Sequence, residues 1–318
     1  MVAAELYARY WRKVISMNRE GTLILCYHRV AQGVDDPFGL CVRPDNFASH
    51  LDELLRVAEP SMMDDISRPS RKRRVVVTLD DGYADNLWNA LPIARAKGVP
   101  LTVFVTSSKI DDVHGLWWDR LAAIQQSRPR TVAELTLSLP SGPVTLAFGR
   151  SGTASDLAMV RSHLCPLPVA EIERLLEDIA ELWSVPSDAP RDARTLTSSE
   201  FAELAASDTV TIGAHTVDHL VLRGRPPAEQ GRTVATSKLV LEQRVGRAVD
   251  HFAYPYGGHD AFDEFSVAAV RDAGFVTACT TLGGSADAFT DPLRLPRCIT
   301  ADWGRLRFRA QLWRWDLW

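Results

Sequence analysis

The chain has 318 residues, 46% hydrophobic and 24% charged, with a formal net charge of −4. These are ordinary globular values, and a chain this long buries a core without disulfides or structural metals. The slight acidity argues against wholesale nucleic-acid binding, and five cysteines with no C-x-x-C (Cys26, Cys41, Cys165, Cys279, Cys298) rule out a disulfide framework and suit a reducing compartment.

In chain order, residues 1–21 hold no apolar core of a signal peptide, because Arg9, Arg12, Lys13 and Arg19 interrupt them. Residues 3–17 have the spacing of an amphipathic helix with Leu6, Tyr7, Tyr10, Trp11 and Val14 on one side. The pattern then alternates. Strands are expected at 22–27, 75–79, 101–106, 209–212, 252–254, 275–279 and 293–295. Helices are expected at 43–57 (opened by Pro44), 85–97 (closed by Gly98), 197–206 (a Thr197/Glu200 capping box), 227–247 and 262–273 (ended by Gly274). Strand–helix alternation of this kind predicts an α/β fold, a parallel sheet or barrel. Residues 107–195 break the rhythm with Trp117-Trp118-Asp119-Arg120, a hairpin signal around Pro140-Ser141-Gly142-Pro143, an amphipathic helix at 169–183 and a Pro-rich exit (Pro186, Pro190). They read as an insertion after the third strand. The run Arg71-Lys72-Arg73-Arg74 reads as a solvated approach to the second strand, with a phosphate or anionic-lipid contact as the other option. Segment 301–318 carries Phe308, Leu312, Trp313, Trp315, Leu317 and Trp318 among arginines. It suits either packing on the fold or a membrane interface. No 18-residue apolar stretch occurs, so the expected location is cytoplasmic, with peripheral contact to the inner membrane through these terminal segments.

Three blocks are candidates to carry chemistry, although each alone also reads as plain structure: an Asp/Gly turn, satisfied structural histidines and a Pro/Gly loop. Thr78-Leu79-Asp80-Asp81-Gly82 ends a buried strand, where parallel α/β folds place their reactive groups and where two carboxylates need a cation or a partner. His215-Thr216-Val217-Asp218-His219 puts two imidazoles four residues apart at another strand end. With one carboxylate they form a three-ligand set that leaves positions open for water and substrate. Phe252-Ala253-Tyr254-Pro255-Tyr256-Gly257-Gly258 forms a rigid turn able to aim a backbone N–H at developing negative charge.

In this order the blocks TLDDG (78–82), HTVDH (215–219) and YPYG (254–257) resemble carbohydrate esterase family 4, the NodB-homology polysaccharide deacetylases, over roughly residues 22–300. The resemblance implies a distorted (β/α)7 barrel. It makes Asp80 the catalytic base, and Asp81, His215 and His219 the ligands of a divalent metal. Zn2+ is the default, and Co2+, Ni2+, Fe2+ and Mn2+ are also suited to such a set. The Tyr256 N–H would hold the oxyanion. Two positions depart from the family pattern. Ala253 stands where an arginine usually orients the base, so Arg297 or Arg294 is expected to replace it, Arg297 being favoured. No histidine follows His259, so the general acid is expected to be His28 of Tyr27-His28-Arg29, as in the branch of poly-N-acetylglucosamine deacetylases that is similar to this chain and looks circularly permuted. The implied activity is N-deacetylation of an amino-sugar polysaccharide or its lipid-linked precursor. The alternatives are O-deacetylation, or an inactive carbohydrate-binding protein of the same fold. Tyr83, Trp117, Trp118, Tyr254, Pro255 and Tyr256 are the candidates to meet the sugar; Trp88 is another, with core packing as its favoured role, and His114 and His259 are expected at the mouth or on the surface.

Overall fold

In a computed structural model the described residues are 21–315, apart from 34–35, 67, 69–71 and 150–153. The segment 3–17 and the last residues, 316–318, lie outside them. Seven strands run parallel in the order β11 (Thr277–Cys279), β10 (His251–Ala253), β9 (Val210–Ala214), β6 (Leu101–Val105), β5 (Arg74–Leu79), β1 (Thr22–Tyr27) and β13 (Cys298–Ile299). Thr280 N–H donates to Leu295 O and Leu295 N–H to Ala278 O, so the segment leading into β13 also binds β11. The sheet therefore curls until both its edges bind the one segment 295–299, the distorted β/α barrel that the family resemblance implied.

Period-2 alternation explains how one sheet carries two apolar faces. Leu23, Leu25, Val75, Val77, Val103 and Ile212 join the outer core beneath the helices α1 (Pro44–Leu54), α2 (Leu91–Ala96), α6 (Ser198–Ala205), α7 (Pro227–Val245), α8 (Glu264–Asp272) and α9 (Arg305–Arg314). The intervening residues Ile24, Val76, Phe104, Ala253, Cys279 and Leu295 form a separate inner cluster. Inside this narrow barrel Gly213 has a steric purpose. A Cβ there would lie 2.4 Å from Cδ1 of Phe104, whose ring fills the space. Polar side chains plug the lower end: His251 Nδ1 meets Thr277 Oγ1 at 2.8 Å, His251 Nε2 meets Asp64 at 3.1 Å, and Thr211 donates to Asp64 at 2.8 Å.

Several local expectations shift. The capping box at Thr197 forms as expected, but 85–97 divides into a π turn at Asn86–Ala90 followed by α2, with Pro92 in its first turn. The expected strand at 293–295 is instead a 3₁₀ turn, Pro292–Arg294, because Pro292 supplies no N–H and Asp291 caps the turn by accepting from Leu293 N–H; only Leu295 reaches the sheet. The short strands β2 (Arg29–Val30), β3 (Cys41–Val42), β4 (Glu59–Pro60) and β12 (Ser285–Ala286) carry too few residues to show a period.

Between β6 and α6 lie α3 (Trp117–Gln126), the hairpin β7 (Glu134–Leu139) and β8 (Gly142–Ala147), α4 (Ala154–Leu164) and α5 (Val169–Trp183). Leu121, Leu137, Leu157, Leu176 and Trp183 give this layer its own apolar cluster. It also takes in Tyr83 from the barrel and packs on Tyr256. The layer thus covers the barrel where the strands end. At the other extreme of the chain, α9 folds back on α1: Phe308 and Leu312 are buried, Phe308 stacks on His50 at 3.9 Å, and Arg305 pairs with buried Glu53 at 2.5 Å.

Candidate metal centre and active site

The inner positions of successive strands end in chemistry. Cys26 and His28 follow Ile24, Thr78 and Asp80 follow Val76, and His215 follows Gly213, so Asp80 and His215 extend the inward-facing registers of β5 and β9. Asp81 would point away from the interior, but its φ of 75° swings the chain around; His219 (63°), Thr216 (63°) and Tyr256 (61°) share this left-handed geometry. Non-glycine residues held there cost on the order of 1–3 kcal/mol each, and four at one place mark a site that the surrounding fold must hold.

Asp81 Oδ1 lies 3.6 Å from His215 Nε2 and 3.4 Å from His219 Nε2. These are close to the ligand–ligand edge of roughly 3.3 Å in a tetrahedron built on bonds of about 2.0–2.1 Å. His215 donates from Nδ1 to the Ala253 carbonyl at 2.7 Å, which leaves Nε2 as the acceptor. Burial pushes the His215 pKa down to about 4 and that of His219 well below its ordinary value, so both rings are neutral, as ligands must be. Asp81 Oδ1 is buried without a hydrogen-bond partner, and burial, then Asp80, then Asp119 push its carboxyl pKa up. A lone buried carboxylate oxygen between two neutral imidazoles is a costly arrangement unless a cation joins it. The donor set therefore fits a divalent ion. Cys26, His28 and Asp80 form another close group, but it fits poorly. Both Asp80 oxygens are already engaged, and burial pushes the Cys26 thiol pKa up.

Arg297 grips Asp80 with both arms, Nη1 to Oδ1 at 2.6 Å and Nη2 to Oδ2 at 2.7 Å. It also donates to Thr78 Oγ1 at 3.0 Å and to the Thr280 carbonyl at 3.1 Å. Burial alone would raise the Asp80 pKa, but Arg297 and then His215 more than offset this and hold it below the usual carboxylate range. Arg294, the other arginine considered, instead pairs with Glu264 and Asp291. Ala253 is small inside the barrel, and the closing segment around Arg297 brings the guanidinium in from the opposite edge. His28 is half-buried, with a ring nitrogen within 4.8 Å of Asp80 and Cys26, and burial lowers its pKa.

The aromatic candidates divide. The Trp118 and Tyr256 rings each lie 4.6 Å from that of His219 and wall the candidate ligand set, with Pro255 buried beside them. Tyr83 and Trp117 are buried in the covering layer, and Tyr254 is buried in the outer core, where it stacks on Phe262 at 4.3 Å, so none of these three rings is exposed at the site. Trp88, expected in the core, is 54% exposed and donates to Glu200 at 2.7 Å. His114 is exposed and paired with Asp188, and His259 is also exposed. Sequence reasoning missed two residues of the neighbourhood. Cys26 donates to Asp80 Oδ2 at 3.5 Å, and Asp119 accepts from Tyr83 at 2.7 Å. The alternation 24-26-28 held the signal for Cys26; nothing local marked Asp119.

The polysaccharide deacetylase family pattern matches residues 67–144 and 185–278, more than half of the chain, and the chain belongs to this family. Among curated proteins it is 21% identical over 270 residues to YxkH of Bacillus subtilis (strain 168), which carries a polysaccharide deacetylase name. The match takes in 83% of this chain and spans 65% of that relative's length. Among solved structures, IcaB from Ammonifex degensii superposes with a TM-score of 0.62 (16% identity, 94% of this chain, 98% of that one). The Streptococcus pyogenes deacetylase PplD in complex with acetate gives 0.59 (17%, 92% and 98%). The deacetylase domain of BpsB from Bordetella bronchiseptica gives 0.55 (16%, 90% and 98%). At these identities the superpositions establish the shared barrel.

Proposed function

We propose that this deacetylase hydrolyses the N-acetyl group of an amino-sugar glycan with a divalent ion held by Asp81, His215 and His219. One observation carries the reading: an unpartnered buried Asp81 oxygen faces two neutral imidazoles, beside an Asp80 that Arg297 keeps ionised. Such an ion, zinc by default, would polarise the amide carbonyl and acidify a water. Asp80 accepts that water's proton, and the Arg297 clamp fixes the orientation of its oxygens. The Tyr256 backbone N–H, in the rigid turn beside His219, donates to the oxyanion. His28 lies on the same inward-facing rim, with a ring nitrogen within 4.8 Å of Asp80, and would relay the proton taken from water to the nitrogen of the leaving amine as the C–N bond breaks. The acetate in the PplD complex fits such a product. The assay is acetate release from an N-acetylglucosamine oligomer, with the new amine quantified and chelator-treated protein as reference. Release of acetate without a new amine would point to O-deacetylation. Sugar binding with no acetate release would leave only a binding protein of this fold.

We further propose that the substrate is a lipid-linked or unexported glycan and that the protein works in the cytoplasm against the inner leaflet. In α9 Leu306 is 81% and Trp313 62% exposed, seven residues apart on one face among arginines. No helix among the described residues is long and apolar enough to cross a membrane. Co-sedimentation with phosphatidylglycerol vesicles, lost on Leu306→Ser/Trp313→Ser, supports this placement; equal sedimentation of both proteins rejects it.

A further inference from the structure

Asp80, Asp81, His215 and His219 are buried, and solvent reaches their rim at His28 and Tyr256, both half-buried. Arg29 N–H donates to Leu40 O at 3.1 Å, which holds the 36–40 loop, with half-buried Phe38, against the strand that follows His28. Tyr256 forms the other wall, its ring 4.6 Å from that of His219. Arg161, in the last turn of α4, joins the two walls. Its guanidinium carbon lies 5.5 Å from the centre of the Phe38 ring and 5.8 Å from that of Tyr256. A substrate that reaches His219 along Tyr256 passes Arg161.

Arginines of similar or deeper burial are held by acids: Arg29 by Asp85, Arg128 by Asp156, Arg294 by Glu264 and Arg297 by Asp80. Arg161 is half-buried, yet among the described residues no carboxylate or carbonyl accepts from it, and only the two rings hold it. Ring faces attract the charge but leave the five N–H donors of the fork unanswered. A planar fork held in place by aromatic faces suits an oxyanion with two acceptor oxygens, and little further ordering is needed when one binds. No free carboxylate opposes such an anion. Asp36, in the loop of Phe38, accepts from Leu40 N–H at 2.8 Å and from Cys41 N–H at 2.7 Å, and both Asp80 oxygens are taken by Arg297.

We propose that Arg161 binds a phosphoryl group carried on the anomeric carbon of the N-acetylhexosamine that is deacetylated, so that the protein selects a glycosyl phosphate or diphosphate over a neutral glycan. The assignment rests on the deacetylase reading for the sugar and on Arg161 alone for the anion. An N-acetylhexosamine has no acid of its own. Its anomeric carbon neighbours the carbon that bears the acetamido group, just as Arg161 neighbours the ring that touches His219. A phosphate there is the anion that one sugar unit brings to this place.

The test compares wild type with Arg161→Met, which keeps the bulk and removes the fork, and with Arg161→Lys, which keeps the charge and carries the comparison should the first variant fail to fold. The metal-loaded full chain is given N-acetylglucosamine 1-phosphate and, separately, neutral methyl N-acetylglucosaminide. Amine release gives kcat/KM for each, and phosphorus NMR follows binding of the phosphate directly. The expected result is that the ratio of kcat/KM for phosphate to that for the neutral glycoside falls about tenfold to a hundredfold in Arg161→Met, the size of a hydrogen bond to a charged group, through KM, and falls less in Arg161→Lys. An unchanged ratio overturns the assignment. Prenyl diphosphate-linked and uridine diphosphate-linked N-acetylglucosamine, run in parallel, separate the sources: dependence on Arg161 for one of them names a lipid or a nucleotide as the carrier of the phosphate. If wild type turns over none of these compounds, the deacetylase reading fails. The phosphorus signal then decides Arg161 by itself: broadening by wild type and not by Arg161→Met upholds it, and broadening equal or absent in all proteins overturns it.

Discussion

Replacing Arg297 by Met removes the partner of Asp80 while nearly conserving volume, and the structure sets the scale of the loss. Arg297 is fully buried and Asp80 is 2% exposed, and the variant loses two charge-assisted bonds, 2.6 and 2.7 Å long, together with the bonds to Thr78 and the Thr280 carbonyl. Deleting one member of such a pair leaves a buried carboxylate uncompensated, which costs about 3–5 kcal/mol, a large share of the roughly 5–15 kcal/mol by which domains are stable. The cost lies in the stranded charge rather than in lost attraction. Asp80→Asn/Arg297→Met should therefore be more stable than Arg297→Met alone, although it carries one more change. Urea unfolding of chelator-treated wild type, both single variants and the double variant at neutral pH measures the cycle. Arg297→Lys supplies a point charge without the two-pronged fork. It should fold, and under the base role proposed for Asp80 it should lose roughly 10²-fold in kcat as that carboxylate loses its orientation. A loss below about 1 kcal/mol for Arg297→Met, or a double variant less stable than it, would refute the reasoning.

Two further perturbations address the frame. His50 accepts from Tyr27 OH and donates to the Trp303 carbonyl beneath α9, and burial lowers its pKa from 6.5 to about 4. Between those values the unfolded chain binds the proton more readily. The stability this group contributes is therefore complete above about pH 6.5 and is lost as the pH falls toward about 4. Melting curves of wild type and His50→Gln across that window should show a steeper acid decline for wild type; parallel declines would exclude His50 as the source. Gly213→Ala forces a methyl to within 2.4 Å of Phe104 and should cost about 1–3 kcal/mol, relieved by Phe104→Leu; an unaffected melting temperature would mean that the barrel interior is looser than described.

Much of this fold was legible because barrel strands are short apolar runs punctuated by Gly, Pro and Asp, and because the three motif blocks sit at strand ends. Legibility failed where the determinant was not local. Leu295 belongs to the sheet only because the barrel closes there, so 293–295 has the composition of a strand and the geometry of a turn. Trp88 has the residue type of a core position, yet it lies more than half exposed, its indole N–H held by Glu200. The clamp on Asp80 joins residues 217 positions apart, so residue type could nominate Arg297 but only closure of the sheet aims it. The sugar-facing role expected of Tyr83 and Trp117 came from their type alone. Their burial follows from the covering layer, whose packing no motif announced.

The most direct measurement is the anomalous scattering of zinc in a crystal of the metal-loaded protein. One strong peak is expected within about 2.0–2.2 Å of an Asp81 carboxylate oxygen, His215 Nε2 and His219 Nε2, with coordination positions left for water. A peak held instead by Cys26, His28 and Asp80, or no specific peak at stoichiometric zinc, would contradict it.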